Sequence, residues 1–279
     1  MQLLLKSATF FCLTALALIV TGYDQSAVSA FSTAIKQTLN PPKVLIEEDF
    51  NGRDPFGQVH QQFGIDHAFT VVDDPAGGRN KVGRFELREQ DPIQSNGKRS
   101  EVLFPPQDHH DRWYSYSVYI PSEHFKWDHD NDIISQWHQA TGGSPATTFR
   151  VHQDNFMFRT GNKKATRKDY YLGKVEKDKW HHFIFHIIHD HGKDGLVEVW
   201  QNGEKVLEHK GGNMYDTDLP RWKVGIYKAS WAKRKTSTTE RVIYFDNIKL
   251  GSEKSSVEDL LLATGKHKQL PAGTKLFNY

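Results

Sequence analysis

Trp113-Tyr114-Ser115-Tyr116-Ser117-Val118-Tyr119-Ile120 is the stretch that decides the fold. Its even positions carry Tyr, Tyr, Val and Ile, and its odd positions include two serines. Strand side chains alternate between faces, so a period of two makes this a β-strand with one packing face and one polar face. Working outward, Val44 to Phe50, Ala68 to Val72, Val82 to Arg88, Arg99 to Phe104, Ile133 to Gln139, Thr147 to His152, Phe156 to Thr160, Trp180 to His189, Val197 to Asn202, Trp222 to Lys228 and Val242 to Leu250 read the same way. They are rich in β-branched and aromatic residues, and Asn-Gly pairs at 51-52, 96-97 and 202-203 mark turns between some of them. Helical periodicity is confined to Ala30 to Leu39 and Val257 to Ala263. A dozen short strands at this spacing predict an all-β fold, a sandwich or jelly roll of two antiparallel sheets. The polar face of one sheet would form a concave groove able to cradle a polymer.

The first thirty residues set the compartment. Lys6, an apolar run from Ala8 to Val20, and Val28-Ser29-Ala30 ahead of Phe31 have the layout of a secretory signal peptide, cleaved near Ala30. The run is shorter than the roughly 20 apolar residues a membrane span requires. Residues 1–30 are therefore expected to be removed, leaving 31–279 as one secreted or periplasmic domain without repeat or linker. The single cysteine, Cys12, lies inside the apolar run, which excludes a disulfide, a thiol nucleophile and a Cys-ligated metal from the mature chain. With 36 Lys and Arg against 34 Asp and Glu, overall charge nearly balances. Any polyanion would have to be drawn by a local basic surface. A monomer is expected, with neither nucleic acid nor membrane as partner.

Chemistry concentrates in three sets of polar residues on alternate positions of three strands. Arg99 and Glu101 share a face, as do Gln136 and His138, and Lys223, Gly225 and Tyr227 line another strand. The intervening Val102, Ile134, Trp137, Val224 and Ile226 suit the core-facing side. Each set alone could be an exposed ion pair or an ordinary polar strand face. Together they are a complete set for β-elimination at a uronic acid. Taking the C5 proton of a 4-linked uronate builds charge beside a carboxylate that is already negative, so that group must be neutralised. Arg99 can grip it and the Gln136 amide can donate to it. His138 suits the base, Tyr227 the proton donor to the departing O4, and Lys223 can modulate the phenol or meet substrate charge. Equally, Tyr227 could serve as both base and acid while His138 holds a carboxylate or a sugar oxygen.

Arg-Ser-Glu-Val at 99–102, Gln-Trp-His at 136–138 and Lys-Val-Gly-Ile-Tyr at 223–227 resemble, in the same chain order, the motif strands of the jelly-roll (concanavalin-like) polysaccharide lyases, alginate lyases among them. Trp113-Tyr114 with Tyr119-Ile120-Pro121, Trp200-Gln201-Asn202-Gly203 and Tyr244-Phe245-Asp246-Asn247 look closer to the glucuronan lyase and heparin lyase I group. The likeness runs from about Val44 to Gly251. It implies catalytic roles for Arg99, Gln136, His138 and Tyr227. Substrate contacts are further expected from Glu101, Lys223, Lys228, Arg150 and Trp137, the last in tension with its core-side parity. Trp137 and Lys228 depart from the alginate lyase pattern, which puts glucuronan first, then heparin or heparan sulfate, then alginate.

No cofactor is required for this chemistry. The resemblance to heparin lyases leaves room for a structural calcium near Asp216 and Asp218, while the histidines of 181–191 are read as structural, with no metal. The basic runs Lys163-Lys164, Arg167-Lys168 and Lys233-Arg234-Lys235 read as loop surface. Two alternatives remain open: a glycoside hydrolase of the same fold, whose paired acids have no better source than Glu47-Glu48-Asp49, and a non-catalytic carbohydrate-binding module.

Overall fold

Among the described residues, alternation of apolar and polar side chains builds fifteen strands: β1 (Val44–Glu48), β2 (His60–Phe63), β3 (Phe69–Asp73), β4 (Lys81–Arg88), β5 (Arg99–Leu103), β6 (Asp111–Tyr119), β7 (Asp132–His138), β8 (Thr147–His152), β9 (Asn155–Thr160), β10 (Lys168–Lys174), β11 (Trp180–Ile188), β12 (Leu196–Gln201), β13 (Glu204–Lys210), β14 (Arg221–Tyr227) and β15 (Glu240–Gly251). A four-residue helix, α1 (Val257–Leu260), follows the last. The structure is a computed structural model and describes residues 42–57, 59–140 and 143–262 together with Ser26 and Ser29. Apart from those two serines, the expected signal peptide and the helix expected at Ala30 to Leu39 lie outside the described residues.

The strands form two antiparallel sheets. The first runs β13-β12-β11-β6-β15-β4-β3, with β1 also paired to β15, and the second runs β10-β9-β8-β7-β14-β5-β2. This is the expected all-β jelly-roll sandwich. Its core fills the space between the sheets with Tyr114, Tyr116 and Val118 of β6, Phe183 and Phe185 of β11, and Phe149, Phe158, Trp137, Trp222, Val224 and Ile226 of the second sheet. Each large side chain so buried contributes about 1.5–3 kcal/mol.

The deciding strand, β6, lies in the middle of the first sheet, and its serine face departs from expectation. Ser115 and Ser117 are as fully enclosed as the tyrosines. The chain beyond β15 folds over this outer face and sets Leu260 against Trp113 and Ile184, with Val44, Trp200, Val257 and Leu261 packed around them. His182 lies beneath this cover, its ring paired with Ser117 Oγ at 3.2 Å and with the Leu260 carbonyl at 3.0 Å. Around β6 the first sheet is thus covered on both faces.

Three strands escaped the sequence reading: β2, β10 and β13. All three are edge strands, and their residues are mostly exposed. With one side unpaired and little to bury, an edge strand carries no apolar run for a pattern to detect.

Candidate functional site

The outer face of the second sheet is polar. Because Ser100, Val102, Trp137, Phe149, Phe158, Trp222 and Val224 point inward, their neighbours point outward: Arg99 and Glu101 on β5, Arg221, Lys223 and Tyr227 on β14, Gln136 and His138 on β7, Arg150 on β8 and Arg159 on β9. Five cations there stand against Glu101 and Asp169, which makes the face locally basic although the chain is nearly neutral. Two depressions of about 420 and 330 Å³ exist elsewhere, one between the 89–90 turn and the 231–235 loop and one behind β2, and neither lies over this face.

Glu101 is its hub. One carboxylate oxygen accepts from Arg99 Nη1 at 2.8 Å and stands 3.6 Å from Lys223 Nζ, and the other accepts from the Gln136 amide. Lys223 Nζ also donates to Gln62 Oε1 at 2.8 Å, and Gln62 Nε2 donates to Ser95 Oγ at 3.0 Å. Glu101, Arg99, Lys223, Gln136 and Gln62 are nearly buried, and Ser95 is exposed. Burial pulls the Lys223 ammonium below its usual range, with Glu101 opposing the shift and Arg99 adding to it. Two cations around one carboxylate leave net positive charge in the floor. Gln62 belongs to the network without having been foreseen, since its strand is one of the three edge strands.

Tyr227 lies at the rim of this floor. The Arg99 guanidinium carbon is 4.6 Å from the centre of its ring, and among the described residues nothing is hydrogen-bonded to its hydroxyl. The ring packs so closely on Gly97 that a Cβ there would meet Tyr227 Cε2 at 2.4 Å. Gly225, two residues earlier, has φ +139° and a Cβ position 2.2 Å from the Ser100 carbonyl, so only glycine lets β14 approach β5 here. Arg99 itself is heavily committed: besides Glu101, it donates from Nε to the Gln94 carbonyl at 2.9 Å and from Nη2 to the Ser95 carbonyl at 3.1 Å. Three of its five N–H groups hold the protein, and two remain for a ligand.

The expected meeting of Arg99, Gln136, His138 and Tyr227 at one point is only partly realised. Gln136 pairs with Lys223, Tyr227 with Ile133 and with Arg99, but His138 pairs with Arg221. His138 is five residues along β7 from the position opposite Tyr227, roughly 15 Å. Its Nε2 is paired with the Gly143 carbonyl at 3.1 Å. Burial, with Lys223 nearby, lowers its pKa, so the imidazole stays neutral at ordinary pH.

Two expected substrate contacts need correction. Trp137 is 1 % exposed and packs between the sheets, 5.3 Å from the Phe185 ring and 5.4 Å from the Tyr114 ring. Parity turns it away from Gln136 and His138, and it cannot reach a sugar. Lys228 is wholly buried in an ion cluster, donating to Asp132 at 3.0 Å with Asp128 at 3.4 Å, while Arg241 binds the same two acids at 2.9 and 3.3 Å. It anchors the chain just after Tyr227 from behind.

The Asp216 and Asp218 region, where a calcium was left possible, is held by hydrogen bonds within the chain. Asp216 Oδ1 accepts from Gln139 Nε2 at 2.5 Å and from the Asp218 N–H at 3.0 Å, and the Asp218 carbonyl is also held by Gln139. Among the described residues no three His, Cys, Asp or Glu side chains converge to hold an ion. Four of the histidines of 181–191 are tied into the structure: His181 pairs with the Glu176 carbonyl at 2.8 Å, His182 lies under the cover, His186 lies between Asp111 and Glu198 at 2.9 and 2.8 Å and stacks on Trp113, and His189 pairs with the Tyr114 hydroxyl at 2.9 Å.

A sequence family described as polysaccharide lyase matches residues 49–249. The chain belongs to the polysaccharide lyases. No curated protein matches it. Among solved structures, the endo-β-1,4-glucuronan lyase of the fungus Trichoderma reesei is similar with a TM-score of 0.62 at 16% identity, over 78% of this lyase and 98% of that chain. The binding domain of Paraclostridial Mosquitocidal Protein 1 gives 0.52 at 9% identity, over 78% of this lyase and 51% of its own chain. The alginate lyase Aly36B gives 0.49 at 15%, over 76% and 98%. At such identities structural likeness speaks for the fold, and a toxin's binding domain in the same company shows why residues must carry the chemistry.

Proposed function

We propose that this lyase cleaves a 4-linked uronate polymer, glucuronan before heparin, heparan sulfate or alginate, by β-elimination at Tyr227, and that it does so outside the cytoplasm after loss of residues 1–30. The observation that carries the reading is the unengaged Tyr227 hydroxyl beside Arg99, at the rim of a floor whose charge is net positive. A uronate carboxylate over that floor meets the free N–H groups of Arg99 and the remaining amide hydrogen of Gln136, which offset the charge that builds as C5 loses its proton. The Tyr227 oxygen takes the C5 proton. The C4–O4 bond breaks as the C4–C5 double bond forms, and the proton passes on to the departing O4, which returns Tyr227 to its starting state. One residue serves as base and then as acid.

A division in which His138 takes the proton and Tyr227 serves O4 would need both within reach of one sugar ring. The register spacing of roughly 15 Å opposes it. His138, kept neutral, instead suits a hydrogen bond to a neighbouring sugar. Glucuronan is favoured by the name of the similar Trichoderma reesei enzyme. The test is to incubate residues 31–279 with glucuronan, heparin and alginate and follow the ultraviolet absorbance of the unsaturated uronate. Glucuronan should give the fastest rise. Reducing ends without that absorbance would mean hydrolysis, and binding without either would mean a lectin; both would overturn the reading.

A further inference from the structure

Arg150 is a cation without an anion. Its side chain is 6 % exposed on the outer face of the second sheet, Nε donates to Thr148 Oγ1 at 2.6 Å, and Nη1 donates to Asn131 Oδ1 at 2.7 Å. Both acceptors are neutral. The acid nearest in its field, Asp169, is taken by Arg159 through Nε at 2.5 Å and Nη2 at 2.7 Å. Among the described residues nothing is bonded to Arg150 Nη2. Burial, and then the like charge of Arg159, lower the guanidinium to about 9. A nearly buried charge in that condition works against the fold, and a neutral side chain could fill the place without that penalty. What suits it is an anion arriving from solvent.

Its position says which anion. Arg99 pairs with Tyr227, Tyr227 with Ile133, Ile133 with Arg150, Arg150 with Met157 and Met157 with Tyr171. These residues form one row across six neighbouring strands, roughly 24 Å long. Arg150 stands two strands from Tyr227, roughly 10 Å, and one sugar of a 4-linked chain advances by about one strand spacing. At the far end Tyr171 is 58 % exposed, its hydroxyl paired with His152 Nδ1 at 3.0 Å, so its ring face is open to a sugar.

We propose that Arg150 is a second carboxylate subsite, holding the uronate two sugars away from the one cleaved, and that the polymer lies across the strands from Arg99 toward Tyr171. The proposal rests on Tyr227 as the cleavage centre. It makes the lyase a reader of acid spacing: a polymer with a carboxylate on every sugar satisfies both cations at once, and one with neutral sugars at the second place does not.

The test uses glucuronan oligomers of two to six sugars with the wild type, Arg150→Gln and Arg150→Lys. Wild-type KM should fall about 10-fold or more once the oligomer is long enough to span both cations. Arg150→Gln should lose that step, Arg150→Lys should keep part of it, and the ligand-free Gln variant should melt at or above the wild-type temperature. An unchanged step in Arg150→Gln overturns the proposal. Absence of the ultraviolet product from the wild type with every oligomer would instead defeat the elimination reading. Calorimetric titration of the hexamer into both proteins then decides the subsite, and equal affinities overturn it.

Discussion

Arg99 covers the ring of Tyr227, with its guanidinium carbon 4.6 Å from the ring centre, while Glu101 holds the same guanidinium from below at 2.8 Å. The residue that handles charge and the residue that handles protons are therefore one unit, fixed by a third.

Tyr227→Phe keeps the ring contact and removes only the oxygen. Elimination should drop about 10²–10⁴-fold, with polymer binding retained in affinity electrophoresis. His138→Gln should behave differently, raising KM about 10-fold and lowering kcat by less than Tyr227→Phe does. Equal collapse of kcat in both variants would restore His138 to the proton transfers.

Glu101→Gln leaves Arg99 and Lys223 without their carboxylate in a nearly buried setting, at a cost of about 3–5 kcal/mol, seen as a lower Tm. Because Arg99 and Gln136 lose their common anchor, kcat of the folded enzyme should fall about 10²-fold with little change in KM. A lower Tm with full kcat would make Glu101 a strut and no more.

Lys228→Met should destabilise by about 3–5 kcal/mol, since Asp132 and Asp128 lose one of the two cations that neutralise them. Denaturant midpoints measure the loss. KM for polymer should stay within twofold at a temperature where the variant is folded, because the side chain does not reach the outer face.

His189 is wholly buried, and desolvation, with the neighbouring His110 and Arg112 adding to it, lowers its pKa to about 3. In the unfolded chain it titrates near ~6.5. The unfolded state therefore binds the proton first as pH falls, so this contribution is complete above pH ~6.5 and is lost progressively toward pH 3. It amounts to up to a few kcal/mol. Denaturant midpoints at pH 7 and pH 4.5 should differ less in His189→Gln than in the wild type.

The sandwich and the outward set of β5, β7 and β14 were legible because parity is a property of single strands. Trp137 was legible in the same way, and its core position is the one its parity indicated. The distance between His138 and Tyr227 was not legible, because it depends on how β7 slides past β14, and a local pattern carries no register. Lys228 looked like an outward cation because it follows Tyr227, but its partners Asp128 and Asp132 are about a hundred residues away in the chain. Gln62 was hidden in an edge strand with too little apolar content to register as a strand at all.

The cover over the outer face of β6 also says where this chain can be shortened. Gly251 ends the last strand and looks like a natural place to stop, yet a gene trimmed there would strip Val257, Leu260 and Leu261 from Trp113, Ile184 and Trp200. The product would keep every residue of the site and expose an apolar patch on the opposite side of the molecule, an invitation to aggregate. Affinity tags and truncations intended to aid expression should leave residues 252–262 in place.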